Sequence, residues 1–252
     1  LKEANHPLPA WWVGLFVLTI VFAAGYLYLY PGLGSYRGSS SWSSSGSYQK
    51  EVEAGQKTMK AAYAQFASMD VDQLSQNASA MAIAQRLFLN NCAQCHGSDA
   101  RGSKGFPNLA DTDWLYGGKP ENIIETITKG RVANMPPMGA AVGNSDEVRD
   151  LANYVLSLSG SPHDSLRAGL GKSKFGACAA CHGVDGKGNQ ALGAPNLTDS
   201  VWLHGWGKEF IIEIINSGKT NQMPAQHGRL SEEQIRLLGA YVWGLSNKSA
   251  TK

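Results

Sequence analysis

Hydrophobic positions change pattern along this chain, and each pattern predicts a different kind of element. From Trp11 to Tyr30, WWVGLFVLTIVFAAGYLYLY runs twenty residues without a charge or a proline, the length a helix needs to cross a bilayer. Trp11 and Trp12 at one end and Tyr26, Tyr28 and Tyr30 at the other stand where interfacial aromatic belts form, and Pro31-Gly32 ends the helix. Residues 1–32 are therefore expected to anchor the chain in a lipid bilayer. A buried core helix and a cleaved signal peptide are the competing readings. The signal reading is the weaker, because the apolar stretch is long and no basic segment precedes it. The chain begins with Leu1 rather than Met, so the true N-terminus is expected upstream, which leaves room there for another membrane segment. Lys2 and Glu3 on one flank and Arg37 on the other do not fix the orientation by charge.

Polar residues then take over. Gly34 to Tyr48, GSYRGSSSWSSSGSY, has no hydrophobic period and reads as a flexible connector. From Gln49 to Met69, apolar Met59, Tyr63 and Phe66 recur at i, i+4 and i+7, as on one face of an amphipathic helix. Residues 33–77 are thus expected to form a linker and a helix.

The remainder is an internal duplication. CAQCHG aligns with CAACHG, GFPNLADTDWL with GAPNLTDSVWL, GRVANMP with GKTNQMP, and LANYVLSLS with LGAYVWGLS. Domains at 78–160 and 161–252 follow, each expected to be helical. Helical periods cover about 78–88, 121–129 and 145–158, and a capping box, Ser231 with Gln234, opens the last helix. Strand signals are nearly absent. Short helices joined by Gly- and Pro-rich loops make a thin core for repeats this small, which implies that something nonprotein fills the middle.

Composition excludes one class. Twenty-two basic against twenty acidic residues leave a net charge of +2, without the basic bias of a nucleic-acid binder, so no nucleic-acid partner is expected. The acidic pairs Asp111/Asp113 and Glu232/Glu233 read as loop turns and helix caps rather than as acid–base catalysts.

The four cysteines supply the chemistry. Cys92, Cys95 and His96 stand at i, i+3 and i+4, as do Cys178, Cys181 and His182, so in a helical turn each trio projects to one side. C-x-x-C-H is the attachment signal for c-type haem: two thiols form thioethers and the adjacent imidazole reaches the iron. A shared four-thiolate zinc site would ignore the two histidines. A thioredoxin-like redox pair lacks its βαβ context, and a C-x-x-C disulfide is a poor staple. Two covalently bound haem c groups are expected.

Each iron needs a second axial ligand, soft or imidazole, at equivalent places in both repeats. Met135 and Met223 qualify, each five residues after an aligned glycine (Gly130, Gly218) and each followed by proline. Met138 competes with Met135, and His227 leaves a bis-histidine second haem open. Met59, Met69 and Met81 read as packing residues, and His6, His163 and His204 as ordinary histidines.

In these motifs the two repeats resemble class I cytochrome c domains. That resemblance implies that the carbonyls of Pro107 and Pro195 hold the proximal imidazoles and that Trp114 and Trp202 line the haem pockets, although simple core packing accounts for the tryptophans as well. More narrowly, NHPLPAWWVGLFVLTIVFAAGYLYLYPGLG together with CHGSDARGSKGFPNLADTDWLYGG and its second copy is similar to the CcoP/FixP subunit of cbb3-type cytochrome c oxidase. The departure is the serine-rich connector. The family resemblance implies a mainly α chain with one N-terminal transmembrane helix and two tandem class I cytochrome c domains. The chain would be anchored in the bacterial inner membrane with its haem domains in the periplasm. It would pass electrons from a soluble cytochrome c donor, by way of a monohaem cytochrome c subunit, to a catalytic subunit that reduces oxygen. No oxygen-reducing site is expected in this chain. The alternative is a dihaem electron-transfer subunit of another membrane complex, a nitric oxide reductase or a dehydrogenase; a haem-based sensor would need an open iron position, against which the two Met-Pro loops argue.

Overall fold

The computed structural model describes residues 7–247, so Lys2, Glu3 and His6 lie outside the described residues. It divides into two units, residues 1–65 and 66–252.

In the first unit, α1 spans Ala10–Leu29 and buries none of its residues, as a helix meant for lipid should. Tyr30 leaves it in an extended conformation, φ −115° and ψ 154°, because a residue preceding proline is driven out of the helical region. The connector is more ordered than its composition suggests. A helix end leaves its last carbonyls unpaired, and here the chain folds back to cap them. Ser40 N donates to Leu29 O at 3.0 Å, Ser39 N to Tyr28 O at 3.1 Å, and the Tyr36 hydroxyl to Tyr28 O at 2.9 Å. Ser43 then opens α2, Ser44–Ala64, its hydroxyl accepting from Gly46 N. Five of the residues expected to be flexible, Ser44 to Tyr48, are thereby helical.

The second unit runs through α3 (Val71–Gln76), α4 (Ala78–Asn91), α5 (Ala93–His96), α6 (Pro120–Lys129), β1 (Arg131–Met135), α7 (Gly139–Val142), α8 (Ser145–Leu158), α9 (Ser165–Gly171), a 3-10 turn (Lys172–Ala177), α10 (Ala179–His182), α11 (Lys208–Ser217), β2 (Lys219–Met223) and α12 (Glu232–Asn247). The expected helices are present. Asn144 and Glu147 form a capping box at α8, and Asp70 and Gln73 one at α3. Residues 66–77, read with the linker from sequence, pack here instead: Phe66 and Leu74 are buried, α3 lies against α12, and Arg236 donates to Ala67 O at 2.9 Å.

Two cores stand out among the described residues, and neither is built from one repeat alone. The first joins Phe88, Ala100, Ile123 and Ile127 of the first repeat to Ile235, Leu238 and Val242 of α12. The second joins Val148, Leu151, Val155 and Leu156 of α8 to Phe175, Ile211 and Ile215 of the second repeat. Each repeat's closing helix thus lies in the core that holds the other repeat's cysteine motif. Aromatic pairs seal both: Phe88 on Tyr241 and Tyr154 on Phe175, each with ring centroids 5.4 Å apart. Between the cores, β1 and β2 pair antiparallel, Arg131 opposite Met223 and Met135 opposite Lys219. The sequence pattern announced neither these strands nor the short helices α3, α7 and α9.

Candidate haem sites

Each cysteine motif sits on a single helical turn, α5 or α10, for the same local reason. The preceding helix or turn ends at the first cysteine, and the next turn carries the second cysteine and the histidine. Cys95 N and His96 N bond to Cys92 O at 3.1 and 3.0 Å; Cys181 N and His182 N bond to Cys178 O at 3.2 and 3.0 Å. Gly97 and Gly183 end the two turns with the same backbone angles, φ 78° and ψ 155°.

The imidazoles are held alike. His96 Nδ1 lies 3.0 Å from Pro107 O, and His182 Nδ1 lies 3.0 Å from Pro195 O. A carbonyl oxygen only accepts, so Nδ1 carries the proton and donates, leaving the Nε2 lone pair for a metal. Burial lowers the pKa of both histidines from the ordinary value, the carbonyl bond opposing it. The neutral, ligating form is the favoured one. A tight loop brings the proline carbonyl to the ring: Gly102 N donates to His96 O at 2.7 Å, and Gly188 N to His182 O at 2.8 Å. Gly102 has φ +72°, and a Cβ there would fall 2.6 Å from Pro107 O. Only glycine lets the loop approach so closely.

The first thiol of each motif is disfavoured as a thiolate. Burial, reinforced by the neighbouring cysteine, pushes the Cys92 thiol up to about 11, and Cys178 is raised by the same two causes. Cys92 belongs to the first core and Cys178 to the second, so the four sulfurs do not form one tetrahedral set. Cys95 and Cys181 are exposed beside their half-buried partners. A pair of cysteines, one against the core and one exposed, with an imidazole offering Nε2 from the same turn, fits covalently held haem.

Trp114 packs against the first core and Trp202 against the second. Met223 shares the first core with Cys92 and Trp114, whereas Met138 packs in the second with Cys178 and Trp202. Met135 ends β1, half-buried. His227 is exposed, its backbone N donating to Thr128 O at 3.2 Å, and His163 is exposed in the turn after α8. Asp111 and Asp113 form a loop turn, Asp113 N donating to Asp111 Oδ1 at 3.1 Å.

Sequence reasoning passed over Tyr116 and overlooked a role for His204, aligned residues that meet the opposite repeat. A Cβ on Gly193 would strike the Tyr116 ring, and Gly105, aligned with Gly193, faces His204. The Arg131 guanidinium stands 4.8 Å over the Tyr116 ring. Among the described residues, the Tyr116 hydroxyl is the buried side-chain polar atom without a partner. The only available signal was that both residues follow the same W-L dipeptide.

Two family models match the chain. Residues 1–37 match the N-terminal domain of cytochrome oxidase-cbb3, FixP, and residues 79–155 and 171–242 match cytochrome c oxidase, cbb3-type, subunit III. The chain is 59% identical to the cbb3-type cytochrome c oxidase subunit CcoP of Rubrivivax gelatinosus, over 99% of this chain and 82% of that protein. It is 39% identical to the corresponding FixP subunit of Azorhizobium caulinodans, over 96% of this chain and 88% of that protein. With FixP of Rhizobium meliloti the identity is 37%, over 97% and 91%.

Proposed function

The chain belongs to the family of cbb3-type cytochrome c oxidase subunit III, the CcoP/FixP subunits, and from that premise we propose which of its residues carry its electron transfer and where they face. As a member it is a membrane-anchored electron-transfer subunit of the oxidase with two haem c groups, and its partners are other subunits of that complex.

Cys92 and Cys95 hold the first haem through thioethers, with His96 Nε2 on its iron; Cys178, Cys181 and His182 do the same for the second. Met135 and Met223 would supply the thioether sulfurs that complete the ligand sets of the two irons. Bound haem contributes the one-electron chemistry. The chain sets where and at what potential this occurs. Pro107 and Pro195 fix ring orientation and raise imidazole basicity through the Nδ1 bond; a methionine opposite histidine raises the potential relative to two histidines. Trp114 and Trp202 close the pockets against water. The domains are the anchor at 1–32 and the paired haem domains from 78 onward, with the haem domains in the periplasm, a soluble cytochrome c as donor, and the catalytic and monohaem subunits as neighbours.

The observation that carries this reading is the pair of 3.0 Å His–Pro carbonyl contacts, repeated in both motifs. Its test is haem stoichiometry. Full-length chain in the isolated oxidase should carry two haem c, and Cys92→Ala/Cys95→Ala should carry one, with cytochrome c-driven oxygen uptake reduced. A variant still carrying two covalent haems would refute the assignment.

A further inference from the structure

We propose that the two haem sites are completed crosswise: the iron held by His96 takes Met223 from the second repeat, and the iron held by His182 takes Met135 from the first. This rests on the methionine–histidine reading above and adds the pairing, which the order of motifs along the chain would give the other way round.

Three independent features converge on it. The first is the exchange of closing helices. α12 packs on α4 and α6, which frame the Cys92 motif, while α8 packs on α9, the 3-10 turn and α11, which frame the Cys178 motif. The segment linking β2 to α12 must therefore run over the first core, and the segment linking β1 to α8 over the second.

The second is backbone pairing along those segments. Just past Met223, Gln226 N donates to Ile127 O at 3.0 Å and His227 N to Thr128 O, both at the end of α6. In the symmetry-related place, Met138 N donates to Ile215 O at 2.7 Å, near the end of α11. Ile127 and Ile215 are aligned residues of the two repeats, and so are Gln226 and Met138. The exchange is thus two-fold, down to individual hydrogen bonds.

The third is the glycine under each methionine. A Cβ on Gly130 would run into the Met223 carbonyl, with Ala225 N at 2.6 Å; a Cβ on Gly218 would fall 2.5 Å from the Met135 carbonyl and 2.8 Å from Pro137 N. Each Met-Pro loop therefore lies on the glycine that ends the other repeat's helix, not its own. Met223 accordingly packs in the core of Cys92 and Trp114. Met138 is the counterpart of buried Gln226 and packs in the second core, which leaves Met135 in the position equivalent to Met223.

The consequence is functional. Both haem sites share the β1–β2 seam, so a change in the ligand loop of one repeat alters the potential of the haem attached to the other. Neither repeat makes a complete site without its partner.

The experiment uses full-length chain with one haem at a time. In Cys178→Ala/Cys181→Ala, only the haem on Cys92 and Cys95 remains. There Met223→His should give a bis-histidine spectrum and a lower midpoint potential, and Met135→His should leave both unchanged. In Cys92→Ala/Cys95→Ala the effects should reverse, so either background alone decides if the other fails to assemble. Response of the Cys92-held haem to Met135→His, and not to Met223→His, would overturn the crossing. Response of the Cys178-held haem to Met138→His in place of Met135→His would overturn the Met135 half. If a loaded haem responds to none of them, the methionine–histidine reading itself fails. If single-haem chains never load haem while the parent chain does, a second readout decides: cleavage at a protease site placed at 160–163 of the parent. With exchanged helices, the nicked halves stay together with both spectra intact; halves that separate, each keeping its own spectrum, would overturn the proposal.

Discussion

Gly130 gives the sharpest energetic test of the seam. Its backbone, φ +69° and ψ −177°, lies in a region essentially reserved for glycine, where another residue costs about 1–3 kcal/mol. Gly130→Ala adds a steric term, because the new Cβ meets three backbone atoms of Met223 to Ala225. That segment must recede, and its recession weakens the Gln226 and His227 hydrogen bonds to α6, each worth about 1 kcal/mol. The total is about 2–5 kcal/mol. Gly160→Ala is the matched control: φ is +68°, but nothing lies within 4 Å of the added carbon, so only conformational strain of about 1–2 kcal/mol applies. The assay is denaturant unfolding of full-length protein in detergent, followed by far-UV circular dichroism and by haem absorbance. Gly130→Ala should lose at least about 1 kcal/mol more than Gly160→Ala, and it should weaken the methionine–iron signature of one haem. Equal losses in the two variants, with an unaltered haem spectrum, would refute the close approach of the Met223 loop to α6.

Further outcomes follow from burial and charge. Leu238 on α12 is fully buried in the first core, so Leu238→Ala should cost about 2–5 kcal/mol, read as a shift in the denaturant midpoint; a loss under about 1 kcal/mol would contradict the placement of α12. His204 accepts a hydrogen bond from Asn221 Nδ2 at 2.7 Å, and its pKa is lowered first by burial and then by Lys219 and Lys104. The unfolded chain therefore binds the extra proton first, and stability falls as pH drops below the unfolded histidine value of about 6.5. His204→Gln should flatten the stability–pH curve between that value and the lower folded one; an unchanged slope would contradict the assignment. Asp113 has a raised pKa, from burial first and then from Asp199 and Asp111. Its charged form is disfavoured in the fold, so Asp113→Asn should raise the melting temperature at neutral pH and lose that advantage once pH falls below the unfolded carboxylate value.

Much of this molecule was readable from local pattern. The apolar run at Trp11 to Tyr30 matches α1 within one residue, because length and hydropathy alone decide a span. The helices at 78–91, 145–158 and 232–247 announce themselves through caps and apolar spacing. What was hidden is long-range. β1 and β2 read RVANM and KTNQM, with Asn, Lys and Gln that rarely favour strands, and they form because each residue finds its partner 84 to 92 residues away. The helix exchange is invisible for a related reason. Periodicity shows which face of α8 or α12 is apolar, but the repeats are so alike that either core could receive either helix. The choice rests on contacts such as Phe88 with Tyr241 and Arg167 with Asp150, the latter at 2.7 Å. The serine-rich connector misled because its order comes from capping hydrogen bonds to α1, which composition does not reveal.

The account stands most directly on electron delivery through this chain to the oxidase. The decisive measurement is an oxygen pulse on the purified complex after anaerobic reduction by cytochrome c, following absorbance of the c-type haems with and without cyanide. Both c haems should reoxidise rapidly and stay reduced when cyanide blocks the oxygen-reducing centre. Haems that remain reduced without cyanide, or reoxidise equally fast with it, would contradict the account.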